Sequence, residues 1–200
     1  DGEEIQKKMK TVDWDAEAAE KAGYEHFMMK EIHEQPRAVK DTLNSVLKDG
    51  KFDLTDIGLA EEDIRRTSQI YIVACGSAYH VGMVAQYVIE DLVKIPVRVE
   101  LASEFRYRKP ILDPNGLVII ISQSGETADS LAALRETKAQ GIRTLGIVNV
   151  VGSSIAREAD KVFYTLAGPE ISVATTKAYS TQLMASYILA IQFAKVKNTI

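Results

Sequence analysis

A cluster of small polar residues follows a strongly apolar segment in the middle of the chain. Residues 116–121 read Gly-Leu-Val-Ile-Ile-Ile, and residues 122–127 read Ser-Gln-Ser-Gly-Glu-Thr. Apolar residues at helix-like spacing follow over 128–140, so the sequence predicts a strand, a loop and a helix. A helix that begins near Glu126 would direct unpaired backbone N–H groups and the positive end of its dipole at the loop. Hydroxyl donors around a helix N-terminus form a phosphate site without lysine or arginine, so we expect a phosphorylated small molecule here.

The same residues also fit a simpler interpretation, in which they only cap the helix. Serine and threonine cap helices, and glycine marks turns, whether or not a ligand is present. A cap needs one hydroxyl, whereas this loop carries three hydroxyls and a carboxamide. We therefore favour ligand binding and keep the cap as the alternative hypothesis.

The elements that must position this loop form an alternating pattern from residue 70 onwards. Short segments rich in isoleucine and valine indicate strands buried on both faces, and the helical patterns between them predict a parallel sheet with βαβ crossovers. The predicted strands are Ile70–Ala74, Val97–Glu100, Leu117–Ile121, Thr144–Val148 and Val162–Thr165. The predicted helices lie at about 78–93, 102–107, 127–140, 153–159 and 176–196.

Loops rich in small polar residues follow four of these strands, at 75–80, 122–127, 149–154 and 167–177. Ligands of open parallel sheets bind beyond the carboxyl ends of the strands. Because those ends share one edge of the sheet, we expect the four loops to converge there. Such convergence is harder to explain by helix capping alone.

The region before the sheet has a different character. Residues 1–24 are polar and acidic and predict a linker or arm, and residues 25–35 predict a helix. Pro36 is expected to begin a second helix at its first turn. We therefore divide the chain into an N-terminal linker with helices, residues 1–50, and an α/β domain, residues 51–200.

Composition excludes several classes of function. The net charge of −4 argues against a nucleic-acid partner, and the apolar-rich stretch 183–194 is too short to span a membrane. Cys75 is the single cysteine, so no intramolecular disulfide can form, which favours a reducing compartment such as the cytoplasm. No residues have metal-ligand spacing and no Gly-x-Gly-x-x-Gly pattern occurs, so we expect neither a metal nor another cofactor.

Several motifs in this order resemble one known family. They are Cys-Gly-Ser-Ala-Tyr-His (75–80), Ala-Ser-Glu-Phe-Arg-Tyr-Arg (102–108), Ser-Gln-Ser-Gly-Glu-Thr-Ala-Asp (122–129), Ala-Gly-Pro-Glu (167–170) and Thr-Thr-Lys-Ala (175–178). Together they resemble the sugar isomerase (SIS) family, and most specifically the first of the two SIS subdomains of the glucosamine-6-phosphate synthases. Residues 24–36 resemble the helices that lead into that subdomain. The resemblance implies an SIS fold: a flavodoxin-like, doubly wound, five-stranded parallel sheet with an N-terminal helical extension.

The resemblance also implies a ligand and the residues that bind it. The ligand would be fructose 6-phosphate or a related hexose 6-phosphate. The implied phosphate-binding residues are Ser122, Gln123, Ser124 and Thr127, and the implied sugar-lining residues are Ser77, Val173 and Thr175. Many relatives carry a second hydroxyl where this chain has Ala78, so that hydroxyl contact is lost or is replaced by a backbone or water contact.

The synthases that carry this subdomain have three parts. A glutaminase domain releases ammonia from glutamine, and two SIS subdomains convert fructose 6-phosphate and ammonia into glucosamine 6-phosphate. The acid–base glutamate, the imine-forming lysine and an active-site histidine belong to the second SIS subdomain. The chain starts at Asp1 and ends at Ile200, which suggests a piece of a longer protein. We therefore expect it to bind substrate without turning it over and to belong to a homodimer.

No catalytic residue is assigned within the chain. Ketose–aldose chemistry moves a proton between adjacent carbons, so a carboxylate or imidazole must lie near the sugar. We expect Glu126 to occupy the first turn of a helix, Glu170 to shape its loop, and His80 to be packed or at an interface. Lys177 is expected to be exposed in the first turn of the last helix, and Cys75 to be a small apolar residue.

Two other functions are kept as alternatives. One is a sugar-phosphate sensor module of a transcription regulator, but residues 1–50 are acidic or mixed and offer no basic recognition helix. The other is a stand-alone SIS isomerase or deglycase. The lead-in helices at 24–36 argue against this second alternative.

Overall fold

Seven strands form two sheets in the computed structural model, which describes residues 20–200. The strands are β1 (Leu47–Lys48), β2 (Lys51–Phe52), β3 (Ile70–Ala74), β4 (Val97–Leu101), β5 (Leu117–Ser122), β6 (Arg143–Val148) and β7 (Lys161–Tyr164). The first two form an antiparallel hairpin, and the other five form a parallel sheet in the order β4-β3-β5-β6-β7. This is the flavodoxin-like, doubly wound order. It confirms the predicted α/β fold, and the predicted strand ends differ from the observed ones by a single residue at most.

Helices connect and cover these strands within residues 20–200. They are α1 (Phe27–Asn44), α2 (Glu61–Arg66), α3 (Gly76–Val93), α4 (Ala102–Arg108), α5 (Ala128–Ala139), α6 (Ser154–Glu158) and α7 (Lys177–Val196). The β1–β2 hairpin, a 3₁₀ turn at Thr55–Ile57 and α2 were not predicted, because each is too short to show a hydrophobic period. Within residues 20–200, no helix combines the length and the apolar character that crossing a bilayer requires.

Both faces of the parallel sheet are buried, as the missing polar–apolar alternation predicted. Along β3, Ile70 and Ile72 pack on one face, while Tyr71 and Val73 pack on the other, which is the period of two of a strand. Helices α3 and α7 cover the first face, and α4, α5 and α6 cover the second. Strand β5 is buried at every position, so the loop that follows it starts from a fixed point.

The prediction of two helices that meet at Pro36 is wrong. Helix α1 continues through the proline as one element. Pro36 has no N–H to donate to the carbonyl of Ile32, four residues earlier. The side-chain amide of Gln35 donates to that carbonyl at 3.1 Å, so the lost backbone bond is replaced by a side-chain one. The linker predicted for residues 1–24 lies outside the described residues as far as residue 19.

Close packing of α3 on the sheet generates a stability prediction at Gly82. Alanine in place of glycine inside a helix usually stabilises it by about 1 kcal/mol. Here a Cβ atom would lie 2.9 Å from the side chains of both Ile72 and Val99, and such overpacking costs about 1–3 kcal/mol. We expect Gly82→Ala to lower the free energy of unfolding in urea. Tyr87→Ala, at an exposed position of the same helix, should change it far less. A more stable Gly82→Ala would contradict this packing.

Candidate functional site

The loop after β5 is organised around the hydroxyl of Ser122. Its Oγ accepts a hydrogen bond from the backbone N–H of Gly125 at 3.1 Å and lies 2.9 Å from the hydroxyl of Thr127. Ser122 itself is buried, so its hydroxyl shapes the loop from within. The hydroxyl of Ser124, in contrast, is half-buried and accepts a bond from the N–H of Glu126 at 3.2 Å. The proton of the Ser124 hydroxyl therefore remains available to another acceptor.

Gly125 lets this loop turn tightly against the start of α6. Its φ is +66°, in the left-handed region that favours glycine. A Cβ atom here would lie 2.0 Å from the Oγ of Ser153 and 2.6 Å from its Cβ. The carbonyl of Gly125 also accepts a hydrogen bond from the N–H of Ile155 at 3.0 Å. The loop is thus fixed on α6 and has no room for a side chain at this position.

Helix α5 directs unpaired backbone donors at the same loop. Thr127 is its N-cap and makes no side-chain capping hydrogen bond. The N–H of Leu131 donates to the carbonyl of Thr127 at 2.9 Å, so the N–H groups of residues 128–130 precede the first bond of the helix. These donors, the helix dipole and the nearby hydroxyls together favour an anion.

A cavity of about 250 Å³ lies beside these donors, at the carboxyl edge of the sheet. Its wall includes every site residue that the sequence predicted, namely Ser77, Ser122, Gln123, Ser124, Thr127, Val173 and Thr175. Cys75 and Ala78, from the start of α3, also line it. Among the described residues, no lysine or arginine lines this cavity. An anion bound here would therefore depend on N–H and O–H donors.

Glu170 shapes the opposite wall, as the sequence predicted. Its Oε1 accepts hydrogen bonds from the N–H groups of Thr176 and Ala178 at 2.9 and 3.1 Å. Its Oε2 accepts one from the hydroxyl of Thr175 at 2.9 Å. A carboxylate at this position satisfies the N-terminus of α7 and its dipole. The positive end of α7 is therefore already neutralised by the protein.

Gln182 is a lining residue that sequence reasoning missed. It lies on α7, is 3% exposed and lines the cavity. Within residues 20–200, its side-chain amide has no hydrogen-bond partner. The amide faces the cavity, where it can donate to or accept from a ligand. Gln182 is one of several polar residues of α7, so nothing in the sequence marked it as a lining residue.

The prediction that Glu126 lies in the first turn of a helix is wrong. Helix α5 begins two residues later, at Ala128. The Oε1 of Glu126 instead accepts a hydrogen bond from the N–H of Ser154, at the start of α6, at 2.7 Å. Hydrogen bonding from Ser154 lowers the pKa of the exposed Glu126 carboxyl below its ordinary value. Glu126 therefore ties the loop to α6 and does not line the cavity.

The structure also corrects the exposure expected for Lys177 and narrows the expectation for His80. Lys177 is in the first turn of α7 as predicted, but it is buried and its Nζ lies 2.6 Å from Oε2 of Glu34 on α1. His80 is exposed on α3 and meets the ring of Tyr79 edge-on, so it is not packed in the core, and its position at an interface stays a prediction. Local sequence does not reveal that α1 covers Lys177, because the two residues of that ion pair are far apart in the chain.

Comparison with known protein families agrees with this fold. The SIS domain family matches residues 63–192, and the chain belongs to that family. The chain is also 58% identical to glutamine–fructose-6-phosphate aminotransferase (isomerizing) of Clostridium tetani, over 100% of this chain and 33% of that protein. It thus spans about a third of the length of the curated relatives that it matches.

Solved structures agree with this assignment. The C-terminal domain of glucosamine-fructose-6-phosphate aminotransferase from Francisella tularensis superposes with a TM-score of 0.86 at 48% identity, covering 90% of this chain and 51% of that one. Glucosamine-6-phosphate deaminase from Thermotoga maritima superposes with a TM-score of 0.71 at 27% identity, covering 85% and 49%. The chain therefore corresponds to about half of each of these larger structures.

The contact between Gly125 and Ser153 generates a stability prediction. Gly125→Ala should lower the free energy of unfolding by at least about 2 kcal/mol, because a left-handed backbone and a steric clash both add cost. Gly141→Ala is the matched control, since Gly141 has a φ of +72° and open space around its Cβ position. Urea unfolding should show the larger loss for Gly125→Ala. Equal losses in the two variants would contradict the tight contact with Ser153.

The lowered pKa of Glu126 predicts a pH dependence. A carboxyl whose pKa is lower in the folded than in the unfolded chain adds stability above the unfolded pKa, and that stability is lost as the pH falls through the folded pKa. Glu126→Gln keeps an oxygen for the Ser154 N–H but removes the charge. Wild type should therefore be more stable than the variant at about pH 7, and this difference should shrink below the ordinary pKa of 4.5. The measurement is urea unfolding of both proteins at about pH 7 and again below pH 4.5. A difference in free energy of unfolding that is the same at both would contradict the account.

Proposed function

We propose that this chain is the sugar-phosphate-binding part of a glutamine–fructose-6-phosphate aminotransferase and binds fructose 6-phosphate or a related hexose 6-phosphate in the cavity. The observation that carries the proposal is the uncapped N-terminus of α5, which meets the Ser124 and Thr127 hydroxyls at the cavity wall. The relative at 58% identity, which is named for this activity, supports it. The cavity is smaller than the roughly 300–1,000 Å³ of sites for drug-sized ligands, which suits a small sugar phosphate.

The phosphate binds at the α5 end of the cavity in this proposal. The N–H groups of residues 128–130 and the hydroxyls of Ser124 and Thr127 donate to its oxygens. Ser122 holds the loop in shape, because its hydroxyl already bonds Gly125 and Thr127. The side-chain amide of Gln123 has no partner within residues 20–200 and adds a donor.

The sugar extends from the phosphate towards the start of α3 and the segment before α7. Ser77 and Thr175 offer hydroxyls there, and Val173 offers an apolar contact. Gln182 lies on the same side and provides an amide that can both donate and accept. Ala78 offers no hydroxyl, so a ligand contact at this position would be to the backbone or through water.

Turnover needs a group that can move a proton between the sugar carbons. Glu170 is the one carboxylate among the described lining residues, and three donors already hold it. We therefore propose that the remainder of a longer enzyme supplies the reacting groups. A second SIS subdomain would provide a glutamate, a lysine and a histidine, and a glutaminase domain would provide ammonia. The chain's coverage of a third of its curated relatives supports this division.

The longer protein is, in this proposal, a cytoplasmic homodimer without a nucleic-acid or membrane partner. The net charge of −4 and the single cysteine support the location and the absence of a nucleic-acid partner. The dimer follows from the resemblance to synthases whose active sites lie near subunit contacts. The sensor module and the stand-alone isomerase or deglycase have less support, because relatives at 52–58% identity are named as the aminotransferase.

Ser124→Ala tests the proposed phosphate contact. Losing a hydrogen bond to a charged group costs about 1–3 kcal/mol, which corresponds to an affinity for fructose 6-phosphate about 5- to 150-fold lower. Isothermal titration calorimetry measures this directly. Glucosamine 6-phosphate should bind to the wild-type chain, and unphosphorylated fructose should not.

Ser68→Ala is the matched control for this titration. Its hydroxyl bonds to Asp113 at 2.9 Å, before β3 and therefore at the opposite edge of the sheet. The affinity of this control for fructose 6-phosphate should equal that of wild type. Equal affinity of wild type and Ser124→Ala would contradict the site. If wild type fails to bind, the same titration on a chain extended beyond residue 200 separates a half-built pocket from a loop that is only a helix cap.

A further inference from the structure

A buried carboxylate on α1 holds the segment that forms the sugar side of the cavity. Glu31 is 1% exposed. Its Oε1 accepts hydrogen bonds from the N–H groups of Ile171 and Ser172 at 2.6 and 3.1 Å. Its Oε2 accepts a third bond from the hydroxyl of Ser172. A buried carboxylate is costly unless it is hydrogen-bonded, so the three donors and Glu31 fix one another.

Other residues on the same face of α1 bind the start of α7. Glu34 pairs with Lys177 at 2.6 Å, and the Oε1 of Gln35 accepts a bond from the hydroxyl of Ser180 at 2.6 Å. Residues three and four positions after Glu31 lie on one face of a helix. This face of α1 is therefore a continuous polar contact with the region around residues 171–180. Helix α1 also lies before residue 63, where the match to the SIS family begins.

Residues 171–176 are hydrogen-bonded to a carboxylate at each end. Glu31 holds the beginning of the segment, and Glu170 holds its end through Thr175 and Thr176. Val173 lies between these two anchors and is fully exposed, at 106% of its reference area. No apolar packing of Val173 therefore fixes the segment in the described chain. Its position beside the cavity depends on the hydrogen bonds at its two ends.

We propose that Glu31 is a positioning residue for the sugar, through which α1 sets the geometry of residues 171–176. This proposal builds on the proposed function of the cavity. Fixing the segment in advance removes the entropy cost of ordering it when the ligand binds. The phosphate end needs no such help. Ser122, at the end of β5, holds its loop from within, and Gly125 packs against the start of α6. Binding of the sugar part therefore depends on Glu31, and binding of the phosphate part does not.

Glu31→Gln tests this separation of the two ends. The amide keeps the size of the side chain but removes the negative charge, so the bonds from the Ile171 and Ser172 N–H groups become weaker neutral ones. Its NH₂ group also cannot accept the proton of the Ser172 hydroxyl. Calorimetry, with competition titrations for weak binding, would give the dissociation constants of fructose 6-phosphate and inorganic phosphate. We expect the variant to weaken fructose 6-phosphate about tenfold and to change inorganic phosphate less than about twofold. A purely structural role would not change the ratio of the two constants in this way.

Two other variants complete the experiment. Ser172→Ala removes a single hydroxyl anchor, so it should raise the same ratio by a smaller factor, and it keeps the test valid if Glu31→Gln does not fold. Gln35→Ala is the matched control, because it contacts Ser180 on α7 and not residues 171–176, so the ratio should stay at the wild-type value.

The outcomes distinguish this inference from the proposed function. An unchanged ratio in Glu31→Gln and Ser172→Ala would overturn the positioning role, and so would an equal weakening of both ligands. A wild-type chain that binds inorganic phosphate no more weakly than fructose 6-phosphate would also overturn it, because the sugar side would then contribute nothing. If wild type, also when extended beyond residue 200, binds neither ligand, the proposed function of the cavity fails first.

Discussion

The unpaired backbone N–H groups at the start of α5 are the constraint on which this site depends. Backbone donors near a protein core need partners, and no capping side chain provides one here. The donors stay directed at the cavity because β5 is buried along its whole length and because Gly125 packs directly on Ser153. Such donors and the helix dipole can hold a phosphate group without any cation, and the described cavity wall offers hydroxyls and amides but no lysine or arginine.

Three of the helices that begin at this edge, α3, α5 and α7, divide the cavity into two ends. Glu170 neutralises the start of α7, whereas Cys75 and Thr127, the N-caps of α3 and α5, make no side-chain capping bonds. An anion is therefore favoured at the α5 end and disfavoured beside Glu170. The Glu170 end instead holds the exposed Val173 and the side-chain amide of Gln182. This asymmetry would orient a ligand that is charged at one end and neutral at the other, as the proposed function requires.

The fold and much of the site could be predicted from short stretches of sequence. Isoleucine- and valine-rich runs located the sheet because burial on both faces removes the alternation of polar and apolar residues. Contacts between distant residues could not be predicted: Glu31 meets Ile171 only after α1 packs against α7, and Gln182 reaches the cavity only through the path of that helix. The helix boundary predicted at Pro36 was wrong because proline was expected to leave a carbonyl without its backbone donor. The side-chain amide of Gln35 supplies that donor, so the helix continues.

The most direct test of the central claim is a titration of the ¹⁵N-labelled chain with fructose 6-phosphate, followed by backbone amide NMR. The account predicts saturable shifts at residues 124–130, where the N–H groups of the loop and of the first turn of α5 would bond to the phosphate oxygens. Inorganic phosphate should shift the same amides, while residues 171–176 should respond to the sugar phosphate alone. Saturable shifts elsewhere in the chain, with residues 124–130 unchanged, would contradict the account.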